Sequence, residues 1–390
     1  MYRYVDATHH RKGEEGSFMT GSEHMPAATR EGGVLRREHS QVLRLFALGF
    51  AIVAALAIAL GATLSAAQAA RLFKFTQYKV PTADSEPRHI TVGSDGNLWF
   101  TEGGEFFTPN PDPETGGTFH NQIGRITPTG EITEFRIDGC QCFLNDIVQG
   151  PNNILYYTTN NEGLGRITTS GEILPDVKPG NTNALGNGVA AHGDDVWYTD
   201  FNNNSLWRYN VPNDQFTQYP VPSTGANPYD VAVASDGTVW FTEFHANQIG
   251  RLDPATGTII ETPVPGGPNG PRHIAIASDG SVWFTKRFDH TVGRLDPATN
   301  EVTVFPTLTP SAGPEDIAAA PDGSVWFTQA RVGNVARITA DGVITEEGKA
   351  VKDDPNSGLD SAFGITMGPD GQSVWYTKPA DNTIARLTPR

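Results

Sequence analysis

Three histidines in this sequence stand beside neighbours that could help them move protons. His89 closes the run Glu86-Pro87-Arg88-His89, His245 closes Glu243-Phe244-His245, and His273 follows Arg272. An imidazole exchanges protons near neutral pH, and a glutamate can hold a cation. Glu102 ends Trp99-Phe100-Thr101-Glu102 as Glu243 ends Trp240-Phe241-Thr242-Glu243, so an acid recurs at one place in a pattern. Arg88, Tyr229 and Arg272 could hold a polar ligand against these groups. Proton transfer, cation binding and recognition of a small ligand are the chemistries such a set can serve.

Repetition must bring these residues together, since they are scattered along the chain. An aromatic pair followed by threonine occurs at Trp99, Tyr156, Trp197, Trp240, Trp283, Trp326 and Trp375, in steps of 57, 41, 43, 43, 43 and 49 residues. A period near 40–45 residues with four short strands is the signature of a β-propeller. Seven markers predict seven four-stranded blades. In one unit, Pro228–Val233 reads as a strand, Ser235-Asp236-Gly237 as a tight turn, and Val239–Thr242 as a second strand. Ile249–Leu252 then reads as the third strand and Thr258–Val264 as the fourth. The seventh unit stops after its third strand, at Thr388. An orphan run, Phe73–Pro81, precedes the first unit and echoes the fourth strand of unit three, Gln215–Pro222. The N-terminal strand is therefore expected to complete the last blade and close the ring, hiding its edges.

Strands in a blade alternate direction, so first-strand starts and second-strand ends share one face around the central channel. Asn145, Asp146, Asp230, Arg287, Glu315 and Asp316 join the residues above on that face. They differ from blade to blade on a constant frame, as an asymmetric ligand site requires. The first unit carries a long insertion, Gly104–His120, with Phe106, Phe107 and Phe119, which could cover the site. A recurring third-strand arginine (Arg125, Arg166, Arg208, Arg251, Arg294, Arg337, Arg386) reads as scaffold, bonding carbonyls or acids between neighbouring blades. The Asp-Gly turns lack the ligand count of a calcium loop.

With 28 basic and 44 acidic side chains the net charge is −16, which excludes nucleic acid as an expected partner. Arg36, Arg37 and Arg44, the apolar run Leu45–Leu60, and Ala67-Gln68-Ala69 follow the order of a secretory signal. Residues 1–70 are thus expected to be an extension and signal, with Met25 a plausible start, and 71–390 the propeller. An uncleaved anchor through residues 45–62 is the alternative, the one case in which a membrane is a partner. Either way the propeller is expected outside the cytoplasm, periplasmic or extracellular, as a monomer. Cys140 and Cys142 suit a short loop staple or free thiols.

The run Ser235-Asp236-Gly237-x-Val239-Trp240-Phe241-Thr242-Glu243, followed by Asn247-Gln248-Ile249-Gly250-Arg251-Leu252, resembles the virginiamycin B lyase (streptogramin lyase) family. The likeness covers residues 72–390. It implies a seven-bladed propeller that binds Mg2+ and linearises a cyclic depsipeptide by elimination, with a histidine base and nearby acids at the metal. On that pattern Glu86, Glu102 and Glu243 are the expected metal ligands, and His89, His245 and His273 the expected catalytic residues. Arg88, Tyr229 and Arg272 are the expected substrate contacts. Arg88 stands where the family pattern has its histidine, with His89 one residue later, and Tyr229 holds that place in blade four. Three function classes follow: such a lyase, a non-catalytic propeller binding a small molecule, peptide or protein at the channel mouth, and a lactonase-like metallohydrolase.

Overall fold

Each aromatic-aromatic-Thr marker lies on the second strand of a four-stranded antiparallel sheet, and seven such sheets form the propeller. The computed structural model describes residues 73–103, 121–138, 142–159, 163–180, 186–267, 270–348 and 361–390. The expected signal or anchor, the insertion 104–120 and Cys140 lie outside the described residues. Among the described residues, no helix is long and apolar enough to cross a membrane. Cys142 is disulfide-bonded rather than a free thiol.

The ring closes as the unmatched strand at each end predicts. Phe73–Lys79 pairs antiparallel with Thr383–Pro389, from Phe73 opposite Pro389 to Lys79 opposite Thr383. Tyr78 stacks on Trp375 at 5.6 Å, and the cluster around Ile90, Phe100, Trp375 and Ile384 fills the gap between blades seven and one. Similar apolar clusters fill the other gaps, because both faces of each sheet are covered; the second strands are buried throughout in five blades and beyond their first residue in blades two and three. A close approach inside the blade explains the third-strand glycine: a Cβ on Gly250 would lie 2.0 Å from the Phe241 ring.

The marker threonine has a specific task. Its hydroxyl accepts the N–H of its own blade's first strand and donates to a carbonyl on the next blade's first strand. Thr101 accepts from His89 and donates to the Asn145 carbonyl at 2.8 Å. Thr242 joins Asp230 to the Arg272 carbonyl, and Thr285 joins His273 to the Glu315 carbonyl, each donating at 2.6 Å. The remaining blades repeat it, and Thr377 carries it across the closing seam to Arg88. These fully buried hydroxyls fix the first strands to one another, and those strands line the channel.

The recurring arginine is scaffold, but mainly within its own blade. Arg208, Arg294, Arg337 and Arg386 pair with Asp195, Asp279, Asp322 and Asp370 at the first turn of the same sheet. Each lies over its blade's tryptophan, as Arg386 does over Trp375 at 4.9 Å. Bonds to the next blade are fewer, such as Arg386 to the Pro128 carbonyl.

Candidate functional site

Two rings of side chains follow from the threonine relays. The residue whose carbonyl takes the hydroxyl is Arg88, Asn145, Asn187, Tyr229, Arg272, Glu315 or Phe363, in blade order. The next residue, whose N–H bonds the threonine, is His89, Asp146, Gly188, Asp230, His273, Asp316 or Gly364. Members of both rings line a cavity of about 160 Å³, including Arg88, His89, Tyr229, Arg272, His273 and Phe363. Five of the residues singled out in the sequence, His89, His273, Arg88, Tyr229 and Arg272, come together in this lining.

The second ring is built as a set of braces. Asp146, Asp230 and Asp316 each accept a first-strand N–H of the following blade at 2.9 Å, from Val189, Ile274 and Ile365. Gly188 leaves room for one brace, since a Cβ there would meet Asp230 Oδ1 at 2.2 Å. Where no aspartate stands, His89 and His273 reach into the channel with ring centroids 5.1 Å apart.

The two imidazoles carry opposite protonation. His89 is 8 % exposed; burial, then the charge of His273, pushes its pKa down to about 3, so it is neutral. Its Nδ1 meets the Asn145 carbonyl at 3.1 Å, which places the proton there and leaves Nε2 a buried lone pair without a partner. Burial works against charge on His273 as well, yet Asp230 (3.3 Å), Glu315 (3.6 Å) and Asp316 (3.6 Å) outweigh it and hold the ring's pKa well above the imidazole range. Glu315 is fully buried, and burial alone would raise it. Arg272 and Arg287 at 3.0 and 2.6 Å, with His273, keep it ionised well below the usual carboxylate range. Asp316 is pushed up to about 6 by burial. Arg272 also donates to the Tyr229 hydroxyl and lies over that ring at 4.6 Å.

Glu102 and Glu243 do not join this cluster, which corrects the expected metal set. Both sit at second-strand ends, but side chains alternate along a strand. Glu102 therefore shares the face of Phe100, not that of Thr101, and lies between blades: a Cβ on Gly124 would meet both Phe100 and Glu102. Its partner is Glu134 on the outer strand, which accepts the backbone N–H and hydroxyl of Thr82 at 2.9 Å each. Glu243 meets Glu261, which takes the same two bonds from Ser223. Burial, then the facing carboxylate, raises each of Glu102 and Glu243 to about 8. Glu86 is buried at positive φ (52°) in the turn before the first strand of blade one, outside the cavity lining.

The residues expected to hold Mg2+ thus do not converge. Among the described residues, one group of three metal-capable side chains does: His89, His273 and Asp316, with ligand atoms within 4.8 Å. Two imidazoles suit magnesium poorly, since it demands oxygen ligands. Three arginines line the same cavity, and the carboxylates around His273 favour a proton there. His245 is also displaced from its expected place. It is exposed at the rim, bonded to Asn227 at 2.8 Å and packed against Phe201 and Phe244. Tyr229 touches Phe201 and Phe244 as well, joining this aromatic rim to the cavity.

Glu315, Asp230 and Asp316 lay on the expected face without being chosen, although Glu315 and Asp230 order the pair. Phe363 and Asn187 were missed. Counting back eleven residues from the marker finds Arg88, Asn145, Tyr229, Arg272 and Glu315, but Asn187 lies ten and Phe363 twelve before theirs.

Known proteins share this frame. A solved streptogramin B lyase structure superposes with a TM-score of 0.70 at 25% identity, covering 83% of this chain and 99% of the other. A catalytically inactive virginiamycin B lyase from Staphylococcus aureus with quinupristin gives 0.68 at 26% identity, covering 81% and 99%. A virginiamycin B lyase of Nocardia farcinica is 31% identical over 159 residues, a match spanning 40% of this chain and only 49% of that protein. A model of the Virginiamycin B lyase family matches residues 72–261 and 189–390. The chain belongs to that family.

Proposed function

We propose that the channel-mouth cavity binds a cyclic depsipeptide and opens its ester bond by elimination. The observation that carries this reading is the pair of touching histidines, one neutral and one protonated, since environments that drive two pKa values apart assign a base and an acid. The unpartnered Nε2 of His89 takes the proton on the carbon beside a carbonyl. The electrons left behind form a carbon–carbon double bond, the neighbouring carbon–oxygen bond breaks, and the acid leaves as a carboxylate without entry of water. The His273 imidazolium and Arg272 stabilise the negative charge that develops on the carbonyl oxygen. A cavity of about 160 Å³ takes the reacting segment, while the rest of the ring lies against Phe201, Tyr229 and Phe244.

Family membership and the likeness to a lyase holding quinupristin support the substrate class. No step passes through magnesium, because the acids expected to hold it are apart. Mass spectrometry of a type B streptogramin incubated with the protein tests the reading. Elimination gives a linear product of unchanged mass, whereas hydrolysis adds one water, and an intact ring overturns both.

A further inference from the structure

We propose that Arg88, lying over the Phe363 ring, is a binding site for the carboxylate of an aryl-bearing acid; this rests on the lyase reading only in that elimination would set a carboxylate free in the same cavity. The cavity holds several cations, and most are already neutralised. Arg272 and Arg287 share Glu315, and His273 lies among Asp230, Glu315 and Asp316. Arg88 is different. Its guanidinium lies 5.5 Å from the Phe363 ring centre and has no acceptor among the described residues, although it lines a cavity enclosed by the first strands. A guanidinium whose partner is an aromatic ring rather than an acid keeps its N–H donors free, and their planar fork is the geometry that carboxylates match with two parallel bonds.

The surroundings set the rest of the ligand. The Asn187 side chain lines the same cavity with no hydrogen-bond partner among the described residues, a further donor for an anion. Apolar surface flanks the cation: Phe363 packs edge-on against His89 at 5.0 Å, and Tyr229 leads out to Phe201 and Phe244. On a protein of net charge −16 a general attraction for anions is absent, so recognition must be local. One carboxylate attached to one aromatic group fits these neighbours. A free aryl acid and the C-terminal carboxylate of a peptide present the same chemistry.

Calorimetric titration of the full chain with phenylacetate, N-acetylphenylalanine and N-acetylphenylalanine amide tests the site. The expected result is that N-acetylphenylalanine binds at least ~10-fold more tightly than its amide, and that Arg88→Ala removes the difference. Arg88→Lys, which keeps the charge but not the fork, should retain part of it, with circular dichroism confirming the fold of both variants. Phenylacetate binding as tightly as N-acetylphenylalanine identifies a free aryl acid as sufficient; weaker binding identifies the peptide terminus. Equal affinity for acid and amide in the wild type, or an undiminished preference in Arg88→Ala, overturns the proposal. These probes bind without turnover, so the site stands or falls separately from the lyase activity.

Discussion

Gln329 donates its side-chain amide to Glu346 at 3.1 Å, and Glu346 in turn accepts the N–H and hydroxyl of Thr309. Blade six thus repeats with a neutral amide what Glu102 and Glu134 do in blade one, and Glu243 and Glu261 in blade four. In those blades the donor to the outer glutamate must be a protonated carboxyl. In blades one, four and six the residue ending the second strand is thus a latch, holding through the outer glutamate the loop that enters the blade.

Glu102→Gln and Glu243→Gln should therefore stabilise the protein at alkaline pH. Each acid titrates at about 8 when folded, against about 4.5 in an unfolded chain. Between those values the folded state binds more protons, so stability falls as pH rises from about 4.5 through 8. The amide variants escape that loss. Melting curves should show them higher than wild type by at least ~2 °C at pH 8.5 and little changed at pH 4.5. A lower melting temperature at both pH values would contradict the latch.

His89→Ala and His273→Ala should each lower the rate of ring opening by roughly 100-fold or more with the fold intact. The pH profile separates their roles. His89 sheds its proton at about 3, so the base is ready throughout the neutral range. His273 must keep its proton, so kcat/KM should be flat through neutrality and fall on the alkaline side, above the ordinary imidazole value. Asp316→Asn removes one of the carboxylates that hold that proton and should move the fall to lower pH. A rate that climbs with pH through neutrality would reverse the assignment.

Thr285→Val tests whether the relays position the site. The hydroxyl joins the His273 N–H to the Glu315 carbonyl, and its loss leaves both buried groups unpaired, at about 1–3 kcal/mol. Thr158→Val, at the relay between blades two and three, should cost about the same. Only Thr285→Val should depress turnover by roughly 10-fold or more, and Thr285→Ser should restore it. Equal turnover in both valine variants would reduce the relay to a purely structural role.

Removal of residues 1–80 should lower the melting temperature by roughly 10 °C or more. Phe73 and Phe75 pack against the seventh blade, and the whole outer ladder of that blade is lost. Calorimetry decides it, and an unchanged transition would mean that closure contributes nothing.

The blade count, the strands and the closing pair were all legible, because a period, a turn residue and a missing strand are local facts. The convergence of Arg88, His89, Tyr229, Arg272 and His273 was legible too, through strand direction alone. The place of Glu102 was not. Its neighbour Thr101 faces the channel wall, and one residue of strand moves a side chain into the gap between blades. The opposite charge states of His89 and His273 were beyond reach as well. They depend on Asp230, Glu315 and Asp316, which come from two other first strands. The 43-residue step marks Asp230, His273 and Asp316 as equivalent positions, but it does not say that the carboxylates of blades four and six turn onto the imidazole of blade five.

Ring closure also sets an order of events. Phe73 finds its partner at Pro389, so among the described residues the first strand to be synthesised pairs with the last. Six blades can complete themselves from consecutive segments, each a local hairpin problem, while Phe73–Lys79 stays without its ladder until the end of the chain is made. The seam is thus the slowest contact to form and the natural first to open. Moving the chain ends to an exposed turn between blades, with the old ends linked, would turn this long-range pairing into an ordinary one and leave every blade's sequence unaltered.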